Sequence, residues 1–208
     1  MTKPLFITGI GTGIGKTIVS AILVEKLKAD YWKPIQAGDL DYSDTDKVKS
    51  LISNPFSKFH PETYKLTQPY SPHKSADLDG IEISLNKFII PETDNTLIIE
   101  GAGGLMVPLN DQDLMIDLIK KLDGEVILVI RHYLGSINHS LLSIEALKAR
   151  DIKIKGIIYN GLPDKYSEAA ILARSKINVI GNIAELGILS KATVREAALQ
   201  ISLLSEIL

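Results

Sequence analysis

A glycine-rich segment near the start of the chain has the residue types of a phosphate-binding loop. Thr8–Thr17 follows the apolar run Leu5–Ile7 and ends in Gly-Lys-Thr, and a helical pattern begins at Lys16. Glycines let backbone N–H groups point at phosphate oxygens, the lysine adds a positive charge, and the threonine hydroxyl can reach Mg²⁺. Five residues separate Gly9 from Gly15, one more than in the common loop. A glycine-rich turn with a chance Lys-Thr pair is the alternative, but the flanking strand and helix favour a nucleotide-phosphate site.

A lysine and a group of aspartates follow the second predicted strand. Lys33 stands at its carboxyl end, where parallel sheets bind ligands, so it can face the phosphates if this strand neighbours the first. Among the aspartates at positions 39, 41, 44 and 46, Asp44 is the predicted Mg²⁺ ligand, because phosphoryl-transfer sites need one or two carboxylates. The alternatives are a solvated lysine at a sheet edge, and aspartates that are solvated or cap the next helix.

A second carboxylate ends another apolar strand. Leu97–Glu100 is followed by the small residues of Gly101–Gly104, which leave space for a ligand. The packing of a buried strand does not require a terminal glutamate, so we expect Glu100 to hold Mg²⁺ from the side opposite Thr17. A tight turn in which Glu100 caps a helix is the alternative.

A fourth motif, Leu134–Ser140, lies between a strand and a helix. The helix start at Ser136–Asn138 is a suitable anion site, in particular for a carboxylate. Ser136 could instead serve only as the helix cap. The four histidines show no metal-ligand spacing and are expected to be structural, and Tyr31 and Trp32 are expected to pack in the core.

These motifs need strands that end at one edge of a sheet. Strand and helix patterns alternate along the chain, and several strands are apolar on both faces. This predicts a single α/β domain over residues 1–208, a doubly wound, mostly parallel sheet with helices on both faces. Residues 54–79 read as a long irregular loop. The predicted strands are Leu5–Thr8, Tyr31–Pro34, Leu97–Glu100, Val126–Ile130, Ile154–Tyr159 and Val179–Ile180. The predicted helices are Lys16–Ala29, Thr45–Ser53, Ser84–Ile89, Asp111–Leu122, Ser136–Ala149, Lys165–Ser175 and Lys191–Ile207.

Composition limits the classes of function. The chain has 208 residues, 45% of them hydrophobic. Its net charge of −2 gives no reason to expect a basic surface that binds nucleic acid. It contains no cysteine, which excludes disulfides, thiol nucleophiles and cysteine-bound zinc. There is no signal-peptide pattern and no apolar run of membrane-spanning length, so we expect a cytoplasmic protein without a membrane or nucleic-acid partner.

The four motifs, in this order, resemble those of the ATP-dependent dethiobiotin synthetases, a family with the P-loop NTPase fold. Gly-Lys-Thr alone is common to many NTPases, whereas Lys-Pro-Ile-Gln-Ala-Gly, Glu-Gly-Ala-Gly-Gly and Gly-Ser-Ile-Asn-His are far more specific. The matching segments span most of the chain. They are Thr8–Thr17, Lys33–Gly38, Ser71–His73, Glu100–Gly104 with Val107–Leu109, Leu134–Leu142 and Asn160.

The resemblance implies a ligase of biotin biosynthesis that forms the ureido ring of dethiobiotin. Its substrates would be 7,8-diaminopelargonic acid, CO₂ or bicarbonate, and a nucleoside triphosphate, ATP by default, with Mg²⁺ as the metal. A carbamate of the diamine attacks the γ-phosphorus, and the second amine then closes the ring and expels phosphate. The resemblance also implies a homodimer in which Ser136–Asn138 of the partner subunit receives the substrate carboxylate.

Residue roles follow from the resemblance position by position. Catalysis is assigned to Lys33, Lys16 and Thr12, and the metal to Thr17, Asp44 and Glu100. The nucleotide is assigned to Gly13, Ile14, Gly15, Lys16, Thr17, Ile18, Asp44, Glu100, Gly101, Ala102, Gly103 and the base-recognising Asn160. The substrate is assigned to Thr12, Lys33, Ala37, Gly103, Ser136, Ile137 and Asn138.

Three positions depart from the family pattern. Gly13 stands where many members carry glutamate, and Ala37 stands where many carry a serine or threonine hydroxyl that contacts substrate. Residues 181–185 lack the proline that is expected after the sixth strand. The recognition of the nucleotide base is therefore not defined by these motifs.

Three other functions fit parts of the pattern. A switch ATPase of the partitioning or cell-division type shares this fold, but it usually carries a signature lysine at the start of the loop, and Thr8–Gly11 contains none. An amide-forming ligase for a tetrapyrrole precursor normally brings a cysteine-dependent glutaminase domain. A non-catalytic nucleotide-binding module would not need Lys16, Lys33, Asp44 and Glu100 together.

Overall fold

The computed structural model describes residues 3–201, in which strands and helices alternate. The strands are β1 (Leu5–Gly9), β2 (Asp30–Trp32), β3 (Ile35–Ala37), β4 (Phe59–His60), β5 (Tyr64–Leu66), β6 (Leu97–Glu100), β7 (Glu125–Ile130), β8 (Ile154–Asn160) and β9 (Val179–Ile183). The helices are α1 (Lys16–Leu27), α2 (Asp44–Leu51), α3 (Pro72–Leu78), α4 (Met115–Lys121), α5 (Ser136–Lys148), α6 (Lys165–Ser175) and α7 (Lys191–Leu199), with a 3₁₀ turn at Leu85–Lys87.

Seven strands form one parallel sheet in the order β4-β2-β6-β1-β7-β8-β9. The central strands are buried along their whole length, as the apolar runs in the sequence predict for a sheet that is covered on both faces. Strands β3 and β5 form a separate two-stranded parallel sheet. The predicted doubly wound, parallel α/β fold is therefore confirmed.

Helices cover the sheet in two groups. Helix α1 packs against α2 and α7 and against the strands β1 and β6, while α5 packs against α6. Residues Val19–Val24 of α1 are completely buried. This burial anchors the helix directly behind the phosphate loop. In residues 3–201, no helix is both long enough and apolar enough to span a membrane.

The region of residues 54–79 differs from the prediction of an irregular loop. It contains β4, β5 and α3. Both strands are only two or three residues long, too short to leave a period-2 pattern in the sequence. Strand β4 adds to the edge of the main sheet beside β2, and β5 pairs with β3.

Several predicted elements have different bounds in the structure. The second strand stops at Trp32, and Pro34, which has no N–H to donate, separates it from β3. The helix predicted at Ser84–Ile89 is only the 3₁₀ turn. Helix α4 begins at Met115 rather than at Asp111. The side chain of Asn110 accepts hydrogen bonds from the N–H groups of Gln112 and Asp113, and these bonds hold the segment before α4 in a turn. Helix α7 ends at Leu199, Gln200 and Ile201 are no longer helical, and residues 202–207 of the prediction lie beyond the last described residue.

Candidate nucleotide and metal site

The phosphate loop joins the carboxyl end of β1 to the start of α1. Gly15 precedes the helix in a left-handed conformation with φ of +94°, which glycine adopts at no steric cost. Lys16 is the first helical residue, and its Nζ folds back to donate to the carbonyl oxygen of Gly11 at 2.8 Å. The first N–H groups of α1 thus face the same space as a lysine, as phosphate binding requires.

The loop rests on side chains beneath it. Asn160, the last residue of β8, donates from Nδ2 to the carbonyl oxygen of Ile14 at 2.8 Å. The same amide fills the space beside Gly15, where a Cβ would lie 2.0 Å from Nδ2. Ile14 in turn fills the space over Gly9, where a Cβ would lie 1.9 Å from Ile14 Cδ1. The glycines at positions 9 and 15 are therefore required by close packing.

Lys33 joins the two predicted carboxylates. Its Nζ lies 2.8 Å from Asp44 Oδ2 and 2.9 Å from Glu100 Oε1, and Thr17 Oγ1 donates to the same Glu100 oxygen at 2.9 Å. Strand β6 lies between β1 and β2, so the first two strands are not neighbours. Glu100 at the end of β6 is what brings Lys33 and Thr17 together.

Burial strengthens these charge contacts. Desolvation works against the charge of Lys33, but the carboxylates of Glu100 and Asp44 outweigh it and raise the pKa of Lys33. Burial likewise opposes ionisation of Asp44, yet the nearby Lys33 ammonium lowers the pKa of that carboxyl. No carboxylate among the described residues contacts Lys16, and burial lowers its pKa to about 8. Lys16 is thus the cation of the site that most needs an anionic ligand.

Helix α2 positions Asp44. The side chain of Ser43 accepts from the N–H of Asp46, and the Asp46 carboxylate accepts from the Ser43 N–H. This capping box satisfies the helix end, so the cap is Ser43 with Asp46. Asp44 is left free to turn toward Lys33, and its N–H donates to Gln36 Oε1 at 3.2 Å. The alternative that Asp44 serves as a helix cap is therefore wrong.

A cavity of about 690 Å³ opens at this edge of the sheet. It also has a wall from α3 and the segment before it, which includes Tyr70–Pro72. The predicted site residues that line it are Thr12, Gly13, Gly15, Lys16, Thr17, Ile18, Lys33, Ala37, Asp44, Glu100, Ala102 and Gly103. Ile14, Gly101 and Asn160 lie behind or beside this lining, where Gly101 offers its carbonyl oxygen 3.4 Å from Lys33 Nζ.

The predicted carboxylate-binding residues lie elsewhere on the chain. Ile137 and Asn138 line a different cavity, of about 960 Å³, together with residues of α6. Ser136 is not the cap of α5, because Gly135 precedes it as the cap with φ of +105°. Its hydroxyl is buried and has no hydrogen-bond partner among the described residues. Within one chain, the structure does not bring Ser136–Asn138 to the phosphate loop.

Two residues near the site were not identified from the sequence. Tyr31 packs in the core as predicted, but its hydroxyl also donates to Glu100 Oε2 at 2.9 Å. Burial and the Glu100 carboxylate raise the pKa of Tyr31 well above its usual value. Gln36 bridges the carbonyl oxygen of Gly38 and the N–H of Asp44. Neither role has a motif, although a phenol hydroxyl on a strand that was predicted to be buried was a signal for Tyr31.

The donor set suits Mg²⁺. Thr17, Asp44 and Glu100 offer only oxygen atoms, two of the three groups are carboxylates, and all lie within contact of one another or of Lys33. In residues 3–201, no three histidine, aspartate or glutamate side chains gather closely enough to hold a metal by themselves. A cation here would therefore also need oxygens from a nucleotide, as is usual for Mg²⁺ in phosphoryl transfer.

Three histidines make contacts outside this cavity. His60 lies 3.3 Å from the buried Asp30, and His132 stacks on Tyr159 and lies 3.3 Å from Glu168. His139 contacts the hydroxyl of Tyr133 at 2.7 Å. These contacts agree with structural roles.

Comparison with known proteins identifies the relatives of the chain. A family model described as an AAA domain matches residues 3–193. The ATP-dependent dethiobiotin synthetase BioD of Christiangramia forsetii is 56% identical over 95% of both chains. The protein of the same name from Cytophaga hutchinsonii is 47% identical over 96% of this chain and 97% of its own.

Solved structures show the same fold at low identity. The cell division ATPase MinD of Pyrococcus furiosus superposes with a TM-score of 0.58 at 14% identity, over 96% of this chain and 98% of its own. The MinC:MinD complex of Aquifex aeolicus gives 0.57 at 15% identity, over 94% and 86%. At these identities the likeness shows the P-loop NTPase fold alone. Full-length identity of about one half, together with the phosphate loop, Lys33 and the two carboxylates at one cavity, shows that the chain belongs to the family of ATP-dependent dethiobiotin synthetases.

Proposed function

We propose that this chain is a cytoplasmic ligase that forms the ureido ring of dethiobiotin from 7,8-diaminopelargonic acid, CO₂ and ATP. The observation that carries the proposal is the buried contact of Lys33 with Asp44 and Glu100 beside Lys16 and Thr17. This arrangement places positive charge and Mg²⁺-type ligands together at the end of a phosphate loop. Such a site suits the transfer of a phosphoryl group to an anionic oxygen.

The chain needs no covalent intermediate for this reaction. One amine of the substrate takes up CO₂ as a carbamate, whose oxygen attacks the γ-phosphorus and releases ADP. The second amine then attacks the carbamoyl carbon and expels phosphate. The work of the protein is to hold the reactants in line and to neutralise charge as it develops.

Lys16 and Lys33 would neutralise different oxygens. Lys16 lies on the loop at the start of α1 and would bind the phosphates of the nucleotide. Lys33 lines the same cavity and would contact the carbamate and the transferring phosphoryl group. Thr12 would border the diamine, and Ala37, also in the lining, would provide shape without a hydroxyl.

Thr17, Asp44 and Glu100 would hold Mg²⁺, directly or through water. The metal supplies charge neutralisation to the phosphate oxygens when it is bound. A crystal structure with ADP and Mg²⁺ tests this assignment. We expect the cation within one water shell of Glu100, and a larger separation would exclude Glu100 as a ligand.

The substrate carboxylate would bind at the start of α5 in a partner subunit. Support comes from the helix N-terminus at Ser136–Asn138 and from its separation from the phosphate loop within one chain. A homodimer is therefore part of the proposal. Asn160 would meet the base, since it stands at the end of β8 beside the loop.

Phosphate release tests the proposal most directly. We expect release from ATP only when both the diamine and bicarbonate are present, with labelled bicarbonate carbon appearing in an acid-stable product. A switch ATPase would release phosphate without either substrate. The Lys49→Ala variant, which removes the charge of an exposed lysine on α2, is a suitable control for variants that remove the charge of a site lysine.

A further inference from the structure

The hydroxyl of Tyr31 has a defined task in the structure, although the ring belongs to the core. Tyr31 is completely buried on β2, and its ring lies 6.0 Å from that of Phe59. A buried phenol needs a hydrogen-bond partner, and this one donates to Glu100 Oε2 at 2.9 Å. The contact therefore links the interior of the sheet to the predicted metal ligand.

The strand register produces this contact. Tyr31 pairs with Ile98 across the parallel strands β2 and β6, and Glu100 follows two residues later. Side chains two apart on a strand point to the same face, and a long aromatic side chain reaches the diagonal neighbour. The position of the hydroxyl beneath Glu100 thus follows from the sheet itself.

The two oxygens of Glu100 have separate partners. Oε1 receives hydrogen bonds from Thr17 and Lys33 on the cavity side, and Oε2 receives the one from Tyr31 on the core side. A carboxylate that is free at its terminal torsion can turn, because that torsion is broad. A donor on Oε2 removes this freedom and keeps Oε1 toward the phosphate loop.

We propose that Tyr31 is a positioning residue, whose hydroxyl fixes the rotation of the Glu100 carboxylate so that Oε1 faces the cation of the nucleotide complex. This inference rests on the proposed function, since it assumes that Glu100 takes part in cation binding. Tyr31 itself does not line the cavity. Its effect passes through Glu100.

The test compares two buried tyrosines that each lie against a phenylalanine ring. Tyr31→Phe removes the hydroxyl at Glu100, and Tyr64→Phe removes one that contacts Glu82 and Ser84, away from the site. Binding of Mn²⁺ to the full-length enzyme with ADP is measured by electron paramagnetic resonance, and folding by circular dichroism. We expect Tyr31→Phe to weaken Mn²⁺ binding about fivefold to tenfold, the effect of one hydrogen bond, and Tyr64→Phe to leave it unchanged.

Each outcome decides between the two proposals. If Tyr31→Phe binds Mn²⁺ as tightly as the wild type, only the positioning role of Tyr31 is overturned. Absence of Mn²⁺ binding in the wild-type ADP complex overturns the metal assignment of Glu100 and this inference with it. In the Glu100→Gln background, Tyr31→Phe should cause no further loss of Mn²⁺ affinity. A loss equal to the one that Tyr31→Phe causes in the wild type would show that Tyr31 does not act through Glu100.

A crystal structure of the wild-type complex with ADP and Mn²⁺ gives a test that needs no variant to fold. We expect the cation on the Oε1 side of Glu100 and the Tyr31 hydroxyl still within hydrogen-bond distance of Oε2. A cation on the Oε2 side would overturn the inference.

Discussion

Lys33 shows how one residue can hold a site together. Its ammonium lies between Asp44 and Glu100, and the side chain is only 5% exposed. Two carboxylates that lie 2.8 and 2.9 Å from the same ammonium would repel each other without that cation between them. Lys33 therefore stabilises the geometry of the site and also places positive charge next to the phosphate loop.

Lys33→Ala should lower turnover by roughly a hundredfold or more with little change in nucleotide affinity. The reason is that Lys16 and the loop N–H groups bind the phosphates, whereas Lys33 acts on charge that develops during transfer. Steady-state kinetics and direct ADP titration measure the two effects separately, with Lys49→Ala as the control. A large loss of ADP affinity with turnover at saturation preserved would assign Lys33 to binding instead.

At the scale of elements, the phosphate loop depends on strand β8 as well as on β1 and α1. Asn160 supports the loop through the carbonyl of Ile14 and fills the space next to Gly15. The loop conformation is therefore determined by packing between neighbouring strands. A side chain at Gly15 has no room, and one at Gly11 does.

Gly15→Ala should weaken ATP binding by at least about a hundredfold. The new Cβ would collide with Asn160 and stand on a residue with φ of +94°, so the loop must rearrange. Gly11→Ala is the matched control, because a Cβ there meets nothing within 4 Å and its backbone is not left-handed. Calorimetric titration with ADP compares the variants, and equal affinities would contradict this account of the loop.

Asp30 joins three elements at the other end of β2. Its fully buried carboxylate accepts from Thr93 and Asn95 before β6, and from the Lys58 N–H and His60 at β4. Burial opposes its ionisation, but these hydrogen bonds outweigh that effect and lower the pKa of Asp30. The ionised carboxylate therefore stabilises the edge of the sheet.

Asp30→Asn should lower the free energy of unfolding by about 2 kcal/mol at pH 7, the scale of hydrogen bonds to a charged group. Because the folded pKa lies below the usual value of 3.8, this contribution is complete above about pH 4 and is lost as the pH falls through the folded pKa. Urea unfolding at pH 7 and pH 3 should show a smaller difference from wild type at pH 3. The exposed Asp94→Asn serves as control, and equal losses at both pH values would contradict the assignment.

At the scale of the whole molecule, the main feature is that the phosphate loop and the start of α5 belong to separate cavities of one chain. One holds the phosphate loop and the carboxylates, and the other lies at the start of α5. Apolar side chains next to this helix start are exposed: Leu134 completely, Tyr133 by 45% and Ile137 by 37%. An exposed apolar group of this kind is typical of a surface between subunits.

Leu134→Asp should convert a homodimer into monomers and reduce ligase activity at least tenfold, because charge at a buried contact opposes association. Light scattering at assay concentration measures the mass, and phosphate release measures activity. Ile89→Asp, on another exposed apolar residue, is the control. A fully active wild-type monomer would contradict both the dimer and a substrate site shared between subunits.

The sequence by itself determined the fold class and named most of the residues that meet at the candidate nucleotide site. Strands that are apolar on both faces and end in glycine-rich or charged segments indicate a parallel sheet that helices cover on both sides. The spacing of the glycines, the lysine and the threonine within Thr8–Thr17 indicates the phosphate loop. Glu100 was also recognisable as a carboxylate at the end of a buried strand, and Asp44 as one of the aspartates that follow the second predicted strand.

Only the tertiary structure decided which strands are neighbours. The order that places β6 between β1 and β2 depends on packing between distant segments, and it brings Glu100 against Thr17, Lys33 and Tyr31 together. The short strands β4 and β5 were missed for the same reason, because pairing partners rather than local periodicity create them. Local pattern therefore identified the candidate functional residues, and strand register decided how they contact one another.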